Sequence, residues 1–281
     1  MVEYCREQRV ELVAMEASGG YERKVMAMLW AEGMAVALLN PRAVRQFARG
    51  MGTLEKTDRI DARMIAWYAE VKRSEPGLPA SAAQQRLKAL VTRLRQLTEM
   101  AAGEKNKRCL VRDELVEKSF SVLRKTMQAE VRRMEEAIVE LLESDPMWRK
   151  LDEALRSIKG VAGRTVARVL AEMPEIGTLS NKAVSKLAGL APMAEDSGKH
   201  EGKRVIRGGR RNVRAILYIV AGVVAKYNAD FGAFAARLAA AGKPKKVIRV
   251  AMAHKLLVRL NARARDARRA FACDGVEYTK A

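Results

Sequence analysis

The stretch VELVAMEASGG, residues 10–20, decides the fold of the front of the chain. An apolar run that is bounded by charge and closed by a glycine turn is typical of a buried strand, which we expect over Val10–Met15. Glu16 then lies at the C-terminal end of that strand. A helical pattern continues to Gly33, and a second apolar run, Ala35–Leu39, predicts another strand. The order strand, helix, strand predicts a parallel pair and an α/β fold for this region.

Helical periodicity dominates the sequence that follows. Residues 42–73 have a helical pattern that is interrupted near Gly50 and Gly52, and residues 74–83, which contain two prolines and a glycine, predict a loop and a domain boundary. Apolar stripes then recur at spacings of three and four over 87–97 and 127–141. Such narrow stripes need a partner helix, so we expect two antiparallel helices or a coiled-coil arm, paired within the chain or with a second copy.

Glycine punctuates the helical C-terminal region. A helix, the turn Lys159–Gly163 and a second helix predict a hairpin whose amides at Gly160 and Gly163 can hold a DNA phosphate. Glycine turns between helices also serve simple packing, and this alternative stays open. A last helical pair, over 213–227 and 246–261, carries enough apolar residues to form the core of this region.

The composition is that of a soluble globular protein. Apolar residues make up 49% and charged residues 31% of the 281 residues, enough for a core beneath a charged surface, which argues against disorder. The longest apolar run, Ala215–Ala225, is too short to cross a bilayer. Residues 1–10 carry charge and no apolar segment, so we expect no secretory signal and a cytoplasmic protein. The 3 cysteines match neither a disulfide framework nor a zinc site.

Positive charge is concentrated at the C-terminal end. Residues 197–281 carry 20 Lys and Arg against 5 Asp and Glu, which is most of the formal net charge of +20. Such a patch favours phosphate backbones through counterion release, although a solvated charged face is the simpler alternative. The run from Lys203 to Arg214 contains no acid, which favours nucleic acid. The predicted nucleic-acid contacts are Lys199, Lys203, Arg204, Arg207, Arg210, Arg211, Arg214, Lys243, Lys245 and Lys246.

Three carboxylates are candidate metal ligands. Asp58 and Asp61 are three residues apart, which puts both on one face of a helix, and Glu16 ends a strand, where functional groups of parallel sheets gather. Clustered carboxylates suit Mg²⁺, which can stabilise the oxygens of a reacting phosphodiester. Spacing alone equally allows Asp58 and Asp61 to pair with neighbouring basic residues on a solvated helix.

Ser197 is a candidate nucleophile. A serine on a tight loop beside several cations can attack phosphorus, because the cations stabilise the alkoxide and the transition state. Asp-Ser-Gly is also an ordinary turn sequence. The two histidines, His200 and His254, have no spacing typical of a catalytic triad, and we interpret them as nucleic-acid contacts or surface groups. No phosphate-binding loop of nucleotide hydrolases is present in the sequence.

Eight ordered motifs share one resemblance. Those in the front half are MEASGGYE (15–22), NPR (40–42) and KTDRIDA (56–62). Those in the back half are GVAG (160–163), LAGLAP (187–192), DSGK (196–199), IRGG (206–209) and AGKPKK (241–246). Together they resemble the DEDD-type insertion-sequence transposases, the family that includes Piv-like DNA invertases and bridge-RNA-guided recombinases. The resemblance runs through nearly the whole chain.

The resemblance implies an α/β plus α architecture in three parts. These are a RuvC-like, RNase H-type domain over 1–75, a coiled-coil arm over 84–145, and a helical serine transposase and DNA-binding domain over 151–270 with a helix-hairpin-helix-like turn. In such proteins four acids hold Mg²⁺ and a serine becomes joined to DNA during strand exchange. By motif, Glu16 would be the second acid, and Asp58 and Asp61 the third and fourth. Ser197 would be the nucleophile.

The resemblance also implies partners. These are DNA, a structured guide RNA, and further copies of the chain, as a dimer or tetramer through the arm, with a composite site across subunits. The first acid of the family lies on an opening strand that has no match here, so we expect a partial, N-terminally truncated RuvC-like domain. Two other hypotheses are a catalytically inactive DNA- or RNA-binding remnant and a junction nuclease that uses only the acids.

Overall fold

Two parallel strands lie at the centre of the N-terminal part of the protein. The computed structural model describes residues 1–110, 112–198 and 201–273, and the chain divides into two compact units, Met1–Ala80 and Ser81–Ala281. The elements of the first unit are, in chain order, α1 (Val2–Glu7), β1 (Val13–Glu16), α2 (Glu22–Ala31), β2 (Val36–Leu39), α3 (Pro41–Gly50) and α4 (Asp58–Val71).

The register of the strands decides which residues face each layer of helices. β1 and β2 pair in parallel, with Val13 opposite Val36 and Glu16 opposite Leu39. Successive side chains of a strand point to opposite faces. Val36 accordingly packs in the apolar cluster of α2, whereas Ala37 and Leu39 pack with α3 and α4. The predicted parallel pair and its intervening helix are confirmed.

Where the structure describes it, the second unit is helical apart from one small antiparallel hairpin. Its elements are, in chain order, α5 (Ala82–Arg108), α6 (Glu114–Ser144), α7 (Pro146–Arg156), α8 (Gly163–Glu172), α9 (Asn181–Leu187), β3 (Pro192–Met193), β4 (Val205–Ile206), α10 (Arg211–Tyr227), α11 (Ala229–Ala240) and α12 (Lys245–Cys273). The helix ends have local causes. The Asp145 carboxylate accepts hydrogen bonds from the amides of Met147 (2.8 Å) and Trp148 (3.0 Å), and Pro146 occupies the first turn of α7.

The two long helices α5 and α6 form a hairpin. They pack along each other and are joined by the short segment 109–113, so they run antiparallel, as predicted. Near the segment that joins them, apolar side chains lie in solvent, among them Met100, Leu110, Leu115 and Val122. At the opposite end, the hairpin joins the main hydrophobic core with α7, α8, α10 and α12.

A buried polar side chain ties the core of the second unit to its loops. The side chain of Asn261 on α12 accepts a hydrogen bond from the amide of Gly177 (2.9 Å) and donates to Leu179 O and Asn181 Oδ1 (3.0 Å each). The predicted last helical pair corresponds to α10 and α12. The sequence interpretation missed α9, α11 and the β3–β4 hairpin, which are short or rich in alanine. Within the described ranges, no helix is both long enough and apolar enough to span a membrane.

Candidate functional site

The acidic candidates lie at the end of β1 and the start of α4. Alternation along β1 puts Glu16 on the same face as Ala14, which packs in the cluster of α3 and α4. Thr57 caps α4, because its hydroxyl accepts a hydrogen bond from the amide of Ile60 at 3.3 Å. Asp58 and Asp61 therefore occupy the first turn of α4. A carboxylate is favoured there by the positive end of the helix dipole.

Asp61 is close enough to Glu16 to affect its ionisation. Burial raises the pKa of Glu16, the negative charge of Asp61 raises it further, and the positive charge of Lys56 partly opposes both. Asp58 is exposed. In the part of the chain that the structure describes, no three acidic, histidine or cysteine side chains form a group that could hold a metal ion. The structure thus brings Glu16 and Asp61 together and does not add Asp58 as a third member.

The turn after β1 is held by a residue to which sequence reasoning gave no role. The Glu22 carboxylate accepts hydrogen bonds from Ser18 N (3.0 Å), Ser18 Oγ (2.8 Å) and Gly20 N (2.8 Å). Slight burial raises the pKa of Glu22, but these bonds and one from its own amide lower it to about 2. Gly19 (φ +78°) and Gly20 (φ +119°) supply the backbone conformation of the turn. The MEASGGYE motif therefore fixes the chain just beyond Glu16.

Ser197 lies in the connection between β3 and β4, and its side chain is exposed. Hydrogen bonds hold the side chain of the preceding residue, Asp196. The Asp196 carboxylate accepts hydrogen bonds from Arg204 Nη1 (2.7 Å) and from the amide of Gly202 (3.1 Å). Glu195 makes an ion pair with Arg207 at 2.5 Å. The two acids beside Ser197 are therefore paired with two of the predicted nucleic-acid contacts.

The basic residues between Lys203 and Arg214 are less available for contact with nucleic acid than the sequence indicates, because some of them make hydrogen bonds within the protein. Arg210 makes two hydrogen bonds to the Glu175 carboxylate (2.7 and 2.6 Å) and a third to Glu172 O (2.7 Å). Arg214 donates to Gly208 O at 2.5 Å. These two arginines stabilise the fold, because their partners belong to the helices and glycine turns around them. Of the acids that pair with the run, Glu175 lies 35 residues from Arg210, whereas Glu195 and Asp196 lie just before the run in the sequence.

The remaining basic candidates are exposed. Lys203 lies in the connection between β3 and β4, and Arg211 lies in the first turn of α10. Lys243, Lys245 and Lys246 lie around the start of α12. Their contact with nucleic acid stays a prediction. Lys199 and His200 lie outside the described residues.

The two glycines of the turn before α8, Gly160 and Gly163, have different surroundings. Gly160 has φ +97°, and a Cβ there would lie 2.9 Å from the Cα of Val224, so packing against α10 requires this glycine. A Cβ on Gly163 would meet nothing within 4 Å. Packing, the alternative that the sequence left open, therefore accounts for Gly160. A phosphate contact at Gly163 stays a prediction.

Comparison with known proteins gives matches in both halves of the chain. A model of DEDD transposases of the IS110 type matches residues 1–111, and one described as the transposase IS116/IS110/IS902 family matches residues 152–236. The chain is 26% identical over 256 residues to the pilin gene-inverting protein of Moraxella lacunata, and equally to that of Moraxella bovis. Each alignment covers 86% of this chain and 76% of the relative.

Proposed function

Because this chain belongs to the IS110-type family of transposases and DNA invertases, we propose that it exchanges DNA strands with Ser197 as nucleophile and with Mg²⁺ held by Glu16, Asp58 and Asp61. The chain is a DNA transposase at the level of the family, and DNA is its substrate. The residues, the metal and the further partners are our proposal. So is the division into a RuvC-like domain over 1–75, a coiled-coil arm over 84–145 and a serine transposase domain over 151–270.

One observation carries the proposal. Glu16 and Asp61 belong to different motifs, and the parallel pairing of β1 with β2 and the packing of α4 on that sheet bring them into electrostatic contact. Two carboxylates held near each other raise the free energy of the folded state unless a cation or a proton lies between them. A pair of this kind at the carboxyl end of a strand supports a functional site.

The residues present fit the chemistry of a magnesium site in part. Glu16 and Asp61 offer the hard oxygen ligands that Mg²⁺ prefers, and Asp58 lies in the same first turn of α4 as Asp61. Bound Mg²⁺ would stabilise the negative charge that develops on phosphodiester oxygens. The protein's own contribution is to hold two carboxylates on rigid elements, with Lys56 close enough to limit their mutual repulsion.

Ser197 has the accessibility that the reaction requires. Attack by its Oγ would form a bond to phosphorus and break one P–O bond of the DNA backbone, while the serine proton passes to solvent and the leaving oxygen takes up a proton. This exchange of one phosphoester for another needs no nucleotide cofactor. Arg204 and Arg207 pair with Asp196 and Glu195, the two acids just before Ser197, and the side chain of the serine is exposed.

We further propose that the protein works as a dimer or tetramer with a structured guide RNA. The apolar side chains exposed near residues 109–113, where α5 meets α6, support pairing with another copy, because such a cluster is better buried against a similar surface. The guide RNA and the composite site across subunits rest on family resemblance alone.

Trapping the serine–DNA intermediate tests the proposal. The chain is expressed together with the DNA that flanks its own gene, and the recovered DNA is assayed for protein that remains attached after denaturation. We expect an adduct with the wild type and none with Ser197→Ala. Ser119→Ala, an exposed serine on α6, is the matched control and should keep the adduct.

The other hypotheses predict different results. Cleavage that survives Ser197→Ala but is lost in Asp58→Asn and Asp61→Asn would show a nuclease that uses only the acids. DNA binding by the wild type without cleavage or adduct would show a binding protein. Either result overturns the assignment of Ser197.

A further inference from the structure

An apolar groove lies beside the loop that carries Ser197. It has a volume of about 800 Å³ and is formed by both strands of the β3–β4 hairpin and one side of α12. The side chain of Arg204 lines this groove and also holds Asp196, the residue before Ser197. The volume lies within the range of pockets that enclose small ligands, about 300–1,000 Å³. The groove is therefore adjacent to the proposed nucleophile and large enough for part of a substrate.

The walls and the rim of the groove differ in chemistry. The walls include Ile206, Phe234, Val247 and Val250, which are apolar. Four basic side chains also line it, and none of the described residues that line it is acidic. These basic residues are Arg204, Lys246, Lys255 and Arg259. Arg204 and Arg259 also pair with Asp196 and Asp230, which do not line the groove, whereas Lys246 and Lys255 make no ion pair with a carboxylate within the described part of the chain. An apolar surface bordered by such cations complements a flat apolar group attached to phosphates.

The aromatic wall is held in place by cations. Lys255 Nζ lies 4.4 Å from the ring centroid of Phe234 and 5.1 Å from that of Phe231, and Arg237 lies 5.4 Å from Phe234. Phe231 is fully buried beneath it. Because cations already lie over the ring, Phe234 offers a base a rigid apolar wall to pack against, with a positive charge beside it, at a low cost in conformational entropy.

The side chain of His254 also lines the groove, and its hydrogen-bonding state follows from its neighbours. Ser185 Oγ donates its hydrogen to Asn181 O (2.7 Å), so it must accept the bond that joins it to His254 Nε2 (2.9 Å). Burial lowers the pKa of His254, which keeps the imidazole neutral at pH 7. The hydrogen is thus on Nε2, and Nδ1 is a hydrogen-bond acceptor. His254 can accept a bond from an amino or imino group of a base.

We propose that this groove binds an unpaired nucleotide of the DNA substrate next to the phosphate that Ser197 attacks. The base lies between the apolar walls and against Phe234, His254 accepts a hydrogen bond from it, and Lys246 and Lys255 contact the flanking phosphates. Strand exchange requires bases to leave their partners, and a site for the displaced base lowers the cost of that step. This inference rests on the proposed function, since it names the part of the substrate that this site receives.

Binding measurements with fluorescent oligonucleotides test the groove. The probes are a labelled single strand of about 12 nucleotides that contains 2-aminopurine, the duplex of the same sequence, and the matching RNA strand. All are measured with the Ser197→Ala chain, which binds without chemistry, so the result does not depend on the nucleophile. We expect tighter binding of the single-stranded DNA than of the duplex or the RNA, with a change in 2-aminopurine emission.

Two variants fill the groove, and a third is the control. Ala251→Phe and Val247→Trp place bulk in the groove, and each should weaken binding of the single strand by about tenfold and remove the emission change. Val247 is half exposed, so its replacement is compatible with folding, which thermal unfolding verifies. Ala239→Phe, on an exposed site of α11 away from the groove, should bind like the parent.

Several outcomes overturn the inference. They are equal binding of duplex and single strand, tighter binding of RNA than of DNA, wild-type affinity in both groove variants, or loss of self-association instead of DNA binding. A serine adduct in the wild type combined with unaffected groove variants would refute the groove and leave the proposed function standing. If the wild type gave no adduct but the groove variants weakened binding of the single strand, the result would refute Ser197 as the nucleophile and leave the groove standing.

Discussion

Charged side chains in the two units meet opposite kinds of neighbour. In the first unit, burial and the carboxylate of Asp61 both raise the pKa of Glu16. In the second, burial raises the pKa of Glu175, but the hydrogen bonds from Arg210 outweigh it and the pKa is lowered. Like charges that lie together cost stability and mark a candidate functional site, whereas opposite charges that lie together hold the fold.

The charges that are close to a residue in the sequence therefore do not identify its charged neighbours in the fold. The acids of the first unit have basic residues nearby in the chain, yet the fold leaves Glu16 facing a like charge. The basic run of the second unit contains no acid, yet Glu175, Glu195 and Asp196, which precede it in the chain, pair with three of its arginines. Neutralising an acid should therefore have opposite effects on stability in the two units.

Glu16→Gln should give the largest effect, a loss of strand cleavage of at least about 100-fold with no loss of thermal stability at pH 7. The raised pKa means that folded protein binds more protons than unfolded protein, so the Glu16 charge destabilises the fold as the pH rises through that pKa. Glutamine removes this charge. The adduct assay and the unfolding temperature measure the two quantities.

The control for that variant is Glu70→Gln, an exposed glutamate near the other end of α4. It should alter neither cleavage nor stability. Were Glu16→Gln to lower the unfolding temperature and keep cleavage, Glu16 would be a structural residue, and the contrast between the two units would disappear.

Glu175→Gln should give an intermediate effect, a decrease of about 1–2 kcal/mol in the free energy of unfolding, because it removes charge from a two-bond pair with Arg210. The matched control is Glu195→Gln, whose partner Arg207 is mostly exposed; its loss should stay below about 0.5 kcal/mol. Urea denaturation measures both. Equal losses would mean that the Arg210 pair contributes no more than a surface pair.

Local patterns account for what could be predicted from the sequence. The two strands and the end of α6 before Pro146 depend on neighbours within a few residues and lie close to where the sequence indicated, although β1 begins at Val13 and includes Glu16 instead of covering Val10–Met15. These features need only alternation, capping and chain order. The start of α4, which Thr57 caps, was not predicted. The proximity of Glu16 and Asp61 is one of two alternatives that the spacing leaves open, and it depends on the packing of α4 against the sheet.

Contacts between residues that lie far apart in the chain account for the features that could not be predicted from the sequence. The acid-free run predicts that Arg210 contacts nucleic acid, but the fold brings it to Glu175, 35 residues away. Gly160 owes its identity to the backbone of α10. The groove beside Ser197 arises only when the β3–β4 hairpin and α12 come together. No pattern within either segment gives that juxtaposition. Glu22 is a different case. Its partners Ser18 and Gly20 are close in the sequence, but the motif alone does not predict that the Glu22 carboxylate accepts their hydrogen bonds.

Glu22 offers the smallest and most local test of how charge is compensated in the first unit. Its pKa of about 2 lies below the ordinary value of 4.5, so the stability that it contributes is fully present above pH 4.5 and is lost as the pH falls through about 2. Because the side chain is only partly buried and lies in a surface turn, we expect Glu22→Gln to cost less than about 1 kcal/mol at pH 6. The difference from wild type in urea denaturation should shrink steadily between pH 4.5 and pH 2.

The outcome separates two explanations of the turn after β1. If hydrogen bonds to the charged carboxylate hold it, the two proteins converge in stability at low pH, and Ser18→Ala, which removes one of the donors, gives part of the same loss at pH 6. A difference that is independent of pH would mean that glutamine fails to fit the turn. In that case backbone geometry at Gly19 and Gly20 would hold the chain beyond Glu16, and compensation of charge in the first unit would be confined to the neighbourhood of Glu16 and Lys56.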